Sequence, residues 1–221
     1  MNDLPLPSAD IGAVEDRFFT LRNFPLTDGT IMPEAMIAYE TYGRLAPDGR
    51  NAILCTHGYT GSHHFAGRSP ANGNQPGSWD GLIGPGKAID TDKLFVVASN
   101  MLGSSFGSTN AGTINPQTGQ AYGPDFPNIT IRDIVAAQKT LLDHLGVRHL
   151  LAVAGPSYGG YQAFQWAVAY PISWMRSCPS TPRPGPRPIP ISNWPNCRPG
   201  LPAIPNRMAA AITARRRARR C

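Results

Sequence analysis

Apolar positions along the chain follow two spacings: short alternating or continuous runs, and one longer stretch with a helical repeat. Residues 17–26 (RFFTLRNFPL) and 36–42 (MIAYETY) are rich in aromatic and β-branched side chains and read as strands. Asp28-Gly29 between them supplies a turn, so the pair predicts an antiparallel hairpin. Residues 51–56 (NAILCT) and 94–99 (LFVVAS) are compact apolar runs of the kind that form buried strands. Over 131–145, Ile131, Ile134, Val135, Leu141, Leu142 and Leu145 recur at helical spacing. Thr130 with Asp133 fits a capping arrangement at the start of that helix, and Gly146 fits its stop. A further apolar run, 150–154, feeds into Gly155-Pro156-Ser157-Tyr158-Gly159-Gly160, after which 159–170 reads as a helix ended by Pro171. Strands alternating with helices predict an α/β fold with a mainly parallel sheet and helices on both faces. The stretch 100–128, rich in Gly, Asn, Ser and Pro, is longer than a connection requires, and such loops usually serve a site.

The chemistry centres on Gly155-Pro156-Ser157-Tyr158-Gly159, a G-x-S-x-G pattern between a strand and a helix. A serine on a sharp strand-to-helix turn occupies strained backbone, and small residues two positions either side avoid a clash. The turn lifts the hydroxyl clear of the sheet as a nucleophile. The start of the following helix offers a backbone N–H to a developing oxyanion. A second N–H should come from a loop after an earlier strand, and His57-Gly58-Tyr59 occupies that place. Ser157 is therefore the candidate nucleophile, with the N–H groups of Tyr59 and Tyr158 as the candidate oxyanion hole. His57 is read as structural, because a base at the oxyanion loop would face the wrong side of the nucleophile. The bland alternative is an ordinary Gly-rich turn. Two other patterns are set aside. Residues 81–88 (GLIGPGKA) approach a phosphate-binding loop, but Ala88 lacks the hydroxyl that would ligate Mg²⁺, and no apolar strand leads in. His63-His64 are adjacent and have no Cys, His or carboxylate cluster beside them in sequence, so no metal site is expected.

Composition changes the picture at one place. The net charge of +6 on 221 residues is unevenly spread: residues 1–170 hold ten Lys/Arg against fourteen Asp/Glu, a balance of −4. Residues 171–221 hold ten Arg, no acidic residue, and 11 of the 23 prolines, a balance of +10. Residues 1–171 are thus expected to form one α/β domain and 172–221 a separate Pro/Arg-rich tail. The tail admits three readings. These are a basic arm for nucleic acid through the Arg-rich 215–220, a disordered Pro-rich linker over 178–205, or out-of-frame translation after about codon 171. The last fits the abrupt loss of every acidic residue best, so no nucleic-acid partner is expected. No stretch has the length of a membrane span, and the start MNDLPLPSAD lacks the features of a secretory leader, which makes a cytoplasmic protein the expectation. Cys55, Cys178, Cys197 and Cys221 show no metal-site or disulfide spacing.

Longer ordered matches carry a family resemblance over about residues 18–171. They include YETYGRL (39–45), THGYTG (56–61), HHFAGR (63–68), WDGLIGPGKAIDTDK (79–93) and SNMLGS (99–104). GST (107–109), INPQTGQAYGPDFPNITIRD (114–133) and LLDHLGV (141–147) continue them. The chain resembles the homoserine O-acetyltransferase family of the α/β-hydrolase superfamily. The resemblance implies the N-terminal part of an α/β-hydrolase fold, no bound cofactor, and acetyl-CoA or succinyl-CoA as acyl-donor substrate. It further implies a Ser157 acyl-enzyme, homoserine as acceptor in methionine biosynthesis, small-molecule partners without a membrane, and a frequent homodimer. Pro156 and Tyr158 stand where that family more often has Gly and Met, and Gly58-Tyr59 where it more often has Ala-Leu. An esterase or thioesterase on the same scaffold is therefore the alternative. In the superfamily the triad order is Ser, then Asp or Glu, then His. After Ser157 this sequence holds none of the three, its last acidic residue being Asp143 and its last histidine His149. A third reading follows, a chain that is catalytically silent as written.

Overall fold

A computed structural model of the chain describes residues 10–171. Strands β1 (Arg17–Pro25) and β2 (Ile31–Tyr42) form the expected hairpin, with Arg17 opposite Tyr39 and Phe24 opposite Met32. The turn closes through Leu26 N–H to Thr30 O at 2.8 Å, with Gly29 at φ +90° and Thr30 N–H donating to the Asp28 carboxylate at 2.9 Å. β2 begins five residues before the sequence reading placed it. Pro33 marks the discrepancy. It has no N–H, and facing Asn23 takes a φ of 50°, yet the pairs on either side, Arg22–Glu34 and Phe24–Met32, keep the ladder running.

β3 (Ala52–Thr56), β6 (Phe95–Ser99) and β7 (Leu150–Ala154) follow the apolar runs, while β4 (Ile83–Gly84) and β5 (Ile89–Asp90) make a separate two-residue pairing. The main sheet has the order β1-β2-β6-β3-β7. β2 meets β6 antiparallel, whereas β3 pairs parallel with both β6 and β7. Among the described strands the sheet is therefore mixed, with antiparallel N-terminal strands and a parallel centre.

The central strands bury both faces, as their continuous apolar sequence requires. Alternate residues go to opposite sides. Ala52, Leu54, Phe95 and Val97 join one cluster with Val135, Leu141 and Leu142 of α1 (Ile131–His144) and Trp166 of α2 (Tyr158–Ala169). Ile53, Cys55, Val96 and Ala98 join a second cluster with Val14, Phe65, Ala66 and Ile83. Among the described residues both helices pack on the first side, and irregular chain around Phe65, Trp79 and Ile83 covers the second. That chain shows no helical period because it is braced by hydrogen bonds to its own turns, such as Trp79 N–H to Phe65 O at 2.7 Å. α1 carries a full capping box between Thr130 and Asp133, and Gly146 leaves the helix at φ +80°. α2 turns Gln162 and Trp166 inward and leaves Tyr161, Phe164 and Val168 exposed. The 172–221 tail lies outside the described residues. No helix among those described is long and apolar enough to cross a membrane.

Candidate active site

Ser157 sits between β7 and α2 with φ 51° and ψ −119°, a conformation L-residues rarely adopt. Both flanking glycines lie on the end of β3. A Cβ on Gly155 or on Gly159 would overlap the Thr56 carbonyl oxygen, so neither position admits a side chain. Thr56 Oγ1 also donates to Gly159 O at 3.0 Å, binding the start of α2 to the strand end. The G-x-S-x-G spacing thus has a local cause: two close approaches to one carbonyl, with the serine thrust out between them. The serine is exposed.

The loop after β3 lies alongside. A Cβ on Gly58 would stand 3.6 Å from both Ser157 Cβ and Pro156 O, so the oxyanion-loop candidate and the serine are neighbours. Among the described residues no acceptor takes the N–H of Tyr59 or that of Tyr158. The rings of these two tyrosines meet edge to face at 6.0 Å, and Tyr161 adds a second such contact to Tyr158 at 6.3 Å. Tyr59 is 78% exposed. The three rings form an aromatic rim beside the serine.

Next to that rim is a cavity of about 500 Å³ bounded by Tyr59, Tyr158, residues 101–106 and Phe126. Part of the long Gly/Asn-rich stretch, residues 101–106 with Phe126 and Pro127, thus lines this cavity. Thr60, Ser104 and Ser105 supply hydroxyls to the wall, and among the described residues no charged side chain lines it.

His57 braces the loop. It is buried, its Nε2 accepts the Met101 N–H at 3.0 Å, and its Nδ1 lies 2.7 Å from Gly58 O, to which it can only donate. These partners define a neutral ring, and burial pushes its pKa down in the same direction. Behind it runs a buried chain that the sequence reading missed. Trp166 Nε1 donates to Gln138 Oε1 (2.8 Å), and Gln138 Nε2 to Gln162 Oε1 (2.6 Å). Gln162 Nε2 lies within reach of His57 O (3.2 Å) and Met101 Sδ (2.9 Å). The available signal was a polar residue, Gln138, on the apolar stripe of α1.

All five histidines are among the described residues, and none is hydrogen-bonded to Ser157. His144 stacks on Phe19 at 4.6 Å. His63 and His64 each meet a carboxylate that the neighbouring sequence lacks: Asp16 at 3.1 Å and Glu40 at 2.8 Å. The near-phosphate-loop holds its lysine against its own backbone, Lys87 Nζ donating to Asp80 O at 2.5 Å.

Comparison with known proteins accords with this geometry. The family model for the α/β hydrolase fold matches residues 51–219, continuing past the composition break at Pro171. The homoserine O-acetyltransferase of Pelobacter propionicus is 50% identical over 163 residues, covering 73% of this chain and 44% of the relative. Among solved structures, homoserine O-acetyltransferase from Bacillus anthracis superposes with a TM-score of 0.69 at 39% identity, over 72% of this chain and 44% of that one. Esterase E22 gives the same TM-score at 43% identity, over 74% and 46%. The chain spans about half the length of these proteins. A match across well over half its residues, on a mixed sheet with a serine elbow after β7, makes this chain a member of the α/β hydrolase fold family, and relatives at 44–50% identity are homoserine O-acetyltransferases.

Proposed function

We propose that Ser157 is the nucleophile of a two-step acyl transfer from acetyl-CoA or succinyl-CoA to the hydroxyl of homoserine, a step of methionine biosynthesis in the cytoplasm. The observation that carries the reading is the elbow itself, an exposed serine held at φ 51° by two glycines that abut Thr56. Ser157 Oγ attacks the thioester carbonyl as its proton passes to solvent, none of the five histidines being hydrogen-bonded to it. The oxyanion so formed is held by the N–H groups of Tyr59 and Tyr158. Each such donor is worth about 3–4 kcal/mol in a preorganised site. The C–S bond breaks, the thiolate leaves and is protonated, and an acyl-serine remains. The homoserine hydroxyl then attacks that ester, loses its proton, and releases O-acylhomoserine with the serine restored. The acyl-CoA is a substrate in this scheme, and no bound cofactor takes part.

The uncharged cavity favours a second reading, ester or thioester hydrolysis with water as acceptor. Homoserine carries two opposite charges, and among the described residues no charged side chain lines the wall that adjoins the tyrosine rim. One experiment separates the readings: incubate the chain with radiolabelled acetyl-CoA, with and without homoserine, and follow the label. Label appearing first on Ser157 and then on homoserine supports transfer. Release of free acetate whether or not homoserine is present supports hydrolysis. Turnover that survives Ser157→Ala overturns both by placing the chemistry elsewhere, and a complete lack of turnover and of labelling at Ser157 overturns both and leaves a silent chain.

A further inference from the structure

Away from the serine, four residues from three parts of the chain converge on the second face of the sheet. Asp16 precedes β1, Glu40 lies in β2, and His63-His64 follow β3. One ligand atom each from Asp16, Glu40 and His63 fall within 4.8 Å of one another, and His64 Nδ1 stands 2.8 Å from Glu40 Oε1.

Counting protons around this cluster leaves lone pairs facing each other. His64 Nε2 lies 3.0 Å from Gln75 O, a carbonyl that can only accept, so the ring proton belongs on Nε2. In a neutral ring Nδ1 is then a bare lone pair aimed at a carboxylate oxygen. The other Glu40 oxygen takes the Tyr42 hydroxyl, and that hydroxyl is itself fixed by the N–H groups of Phe65 (3.0 Å) and Ala66 (3.1 Å). Glu40 is 0% exposed, so water does not relieve the contact. Something positive must lie between Glu40 and His64, either a proton or a metal ion. His63 lies beside this pair: its Nε2 is 3.1 Å from Asp16 Oδ1, and its side chain, only 5% exposed, also has the Asn100 side chain as a neighbour.

We propose that Asp16, Glu40, His63 and His64 bind one divalent transition-metal ion. A proton shared by Glu40 and His64 would satisfy that pair alone. A metal ion would also draw in the Asp16 carboxylate and a ring nitrogen of His63. Ligands about 2.1 Å from a common ion lie roughly 3–4 Å apart, so Asp16, Glu40 and His63 need only a small closure, whereas His64, outside that set, has to turn further toward them. Two imidazoles with two carboxylates suit Mn²⁺, Fe²⁺ or Zn²⁺. The Tyr42 hydroxyl on Glu40 and the Gln75 carbonyl on His64 are the kind of outer partners that orient metal ligands. A cavity of about 200 Å³ lined by Asp16, His63 and His64 provides the route in from solvent.

The test is Mn²⁺ titration of the full chain, followed by loss of the electron paramagnetic resonance signal of the free aqua ion. Mn²⁺ is chosen because thiolates bind it poorly, so the four cysteines do not compete. One equivalent should bind, more tightly at pH 8 than at pH 6, because binding displaces protons. Asp16→Asn should weaken binding at least tenfold, and Ser157→Ala should leave it unchanged. Glu40→Gln probes the buried ligand, and Asp16→Asn keeps the test decisive if that variant fails to fold, since Asp16 is partly exposed. No stoichiometric binding, or binding undiminished in Asp16→Asn, overturns the proposal and assigns the cluster to a shared proton. The outcome is independent of the reaction assigned to Ser157.

Discussion

Ser157 stores backbone strain that its glycine neighbours make possible. A non-glycine residue at φ 51° and ψ −119° costs of order 1–3 kcal/mol, and the surrounding structure must supply that. Ser157→Gly should therefore raise the urea midpoint, by about 1 kcal/mol of stability once the added freedom of the unfolded chain is subtracted. Gly159→Ala should act in the opposite direction. Its Cβ would drive into the Thr56 carbonyl, a rigid strand end that cannot give, and a loss of about 3 kcal/mol or more is expected in the same measurement. A Ser157→Gly variant less stable than the parent would show the elbow to be unstrained. The elbow's position was legible in sequence because steric need for small residues is local. The identity of what they avoid, a carbonyl about 100 residues earlier, was not.

At the scale of elements, α1 is held by its cap. Asp133 is almost fully buried, which alone would raise its carboxyl pKa. The hydroxyl and N–H of Thr130 (2.5 and 2.8 Å) and of Thr27 (both 2.6 Å) outweigh that and bring it below the ordinary 3.8. A lowered folded-state pKa means stability that is fully present above 3.8 and is lost as pH falls below it toward the folded value. Asp133→Asn should therefore lie well below the parent in urea midpoint at neutral pH, with the gap narrowing as pH drops beneath 3.8. A gap independent of pH would place the effect in packing instead of charge. The cap to Thr130 was readable because both partners sit within one turn. Thr27, which ties the helix to the turn of the hairpin, lies 106 residues away and left no periodic trace.

At the scale of the molecule, the buried chain Trp166–Gln138–Gln162–His57 joins the two helices to the loop beside the serine. Gln162→Leu would remove the donor to His57 O and strand the Gln138 amide in the core, at about 2–3 kcal/mol. Gln138→Leu should have a comparable effect. The double variant should fall short of the sum by about 1 kcal/mol or more, since either change already breaks the shared bond. Additive losses in thermal or urea melts would show the two amides to be uncoupled. By itself, the sequence located the five strands of the main sheet and the two helices, though not the short β4–β5 pair or the early start of β2, together with the capped start of α1 and the place of the elbow. Each of these follows from steric or apolar preferences acting within a few residues. Only the tertiary structure decided the strand order β1-β2-β6-β3-β7, the irregular chain covering the second face, and the meeting of His63 and His64 with Asp16 and Glu40. Those depend on polar groups distant in the chain finding one another once water is excluded, and such pairings leave no period to read.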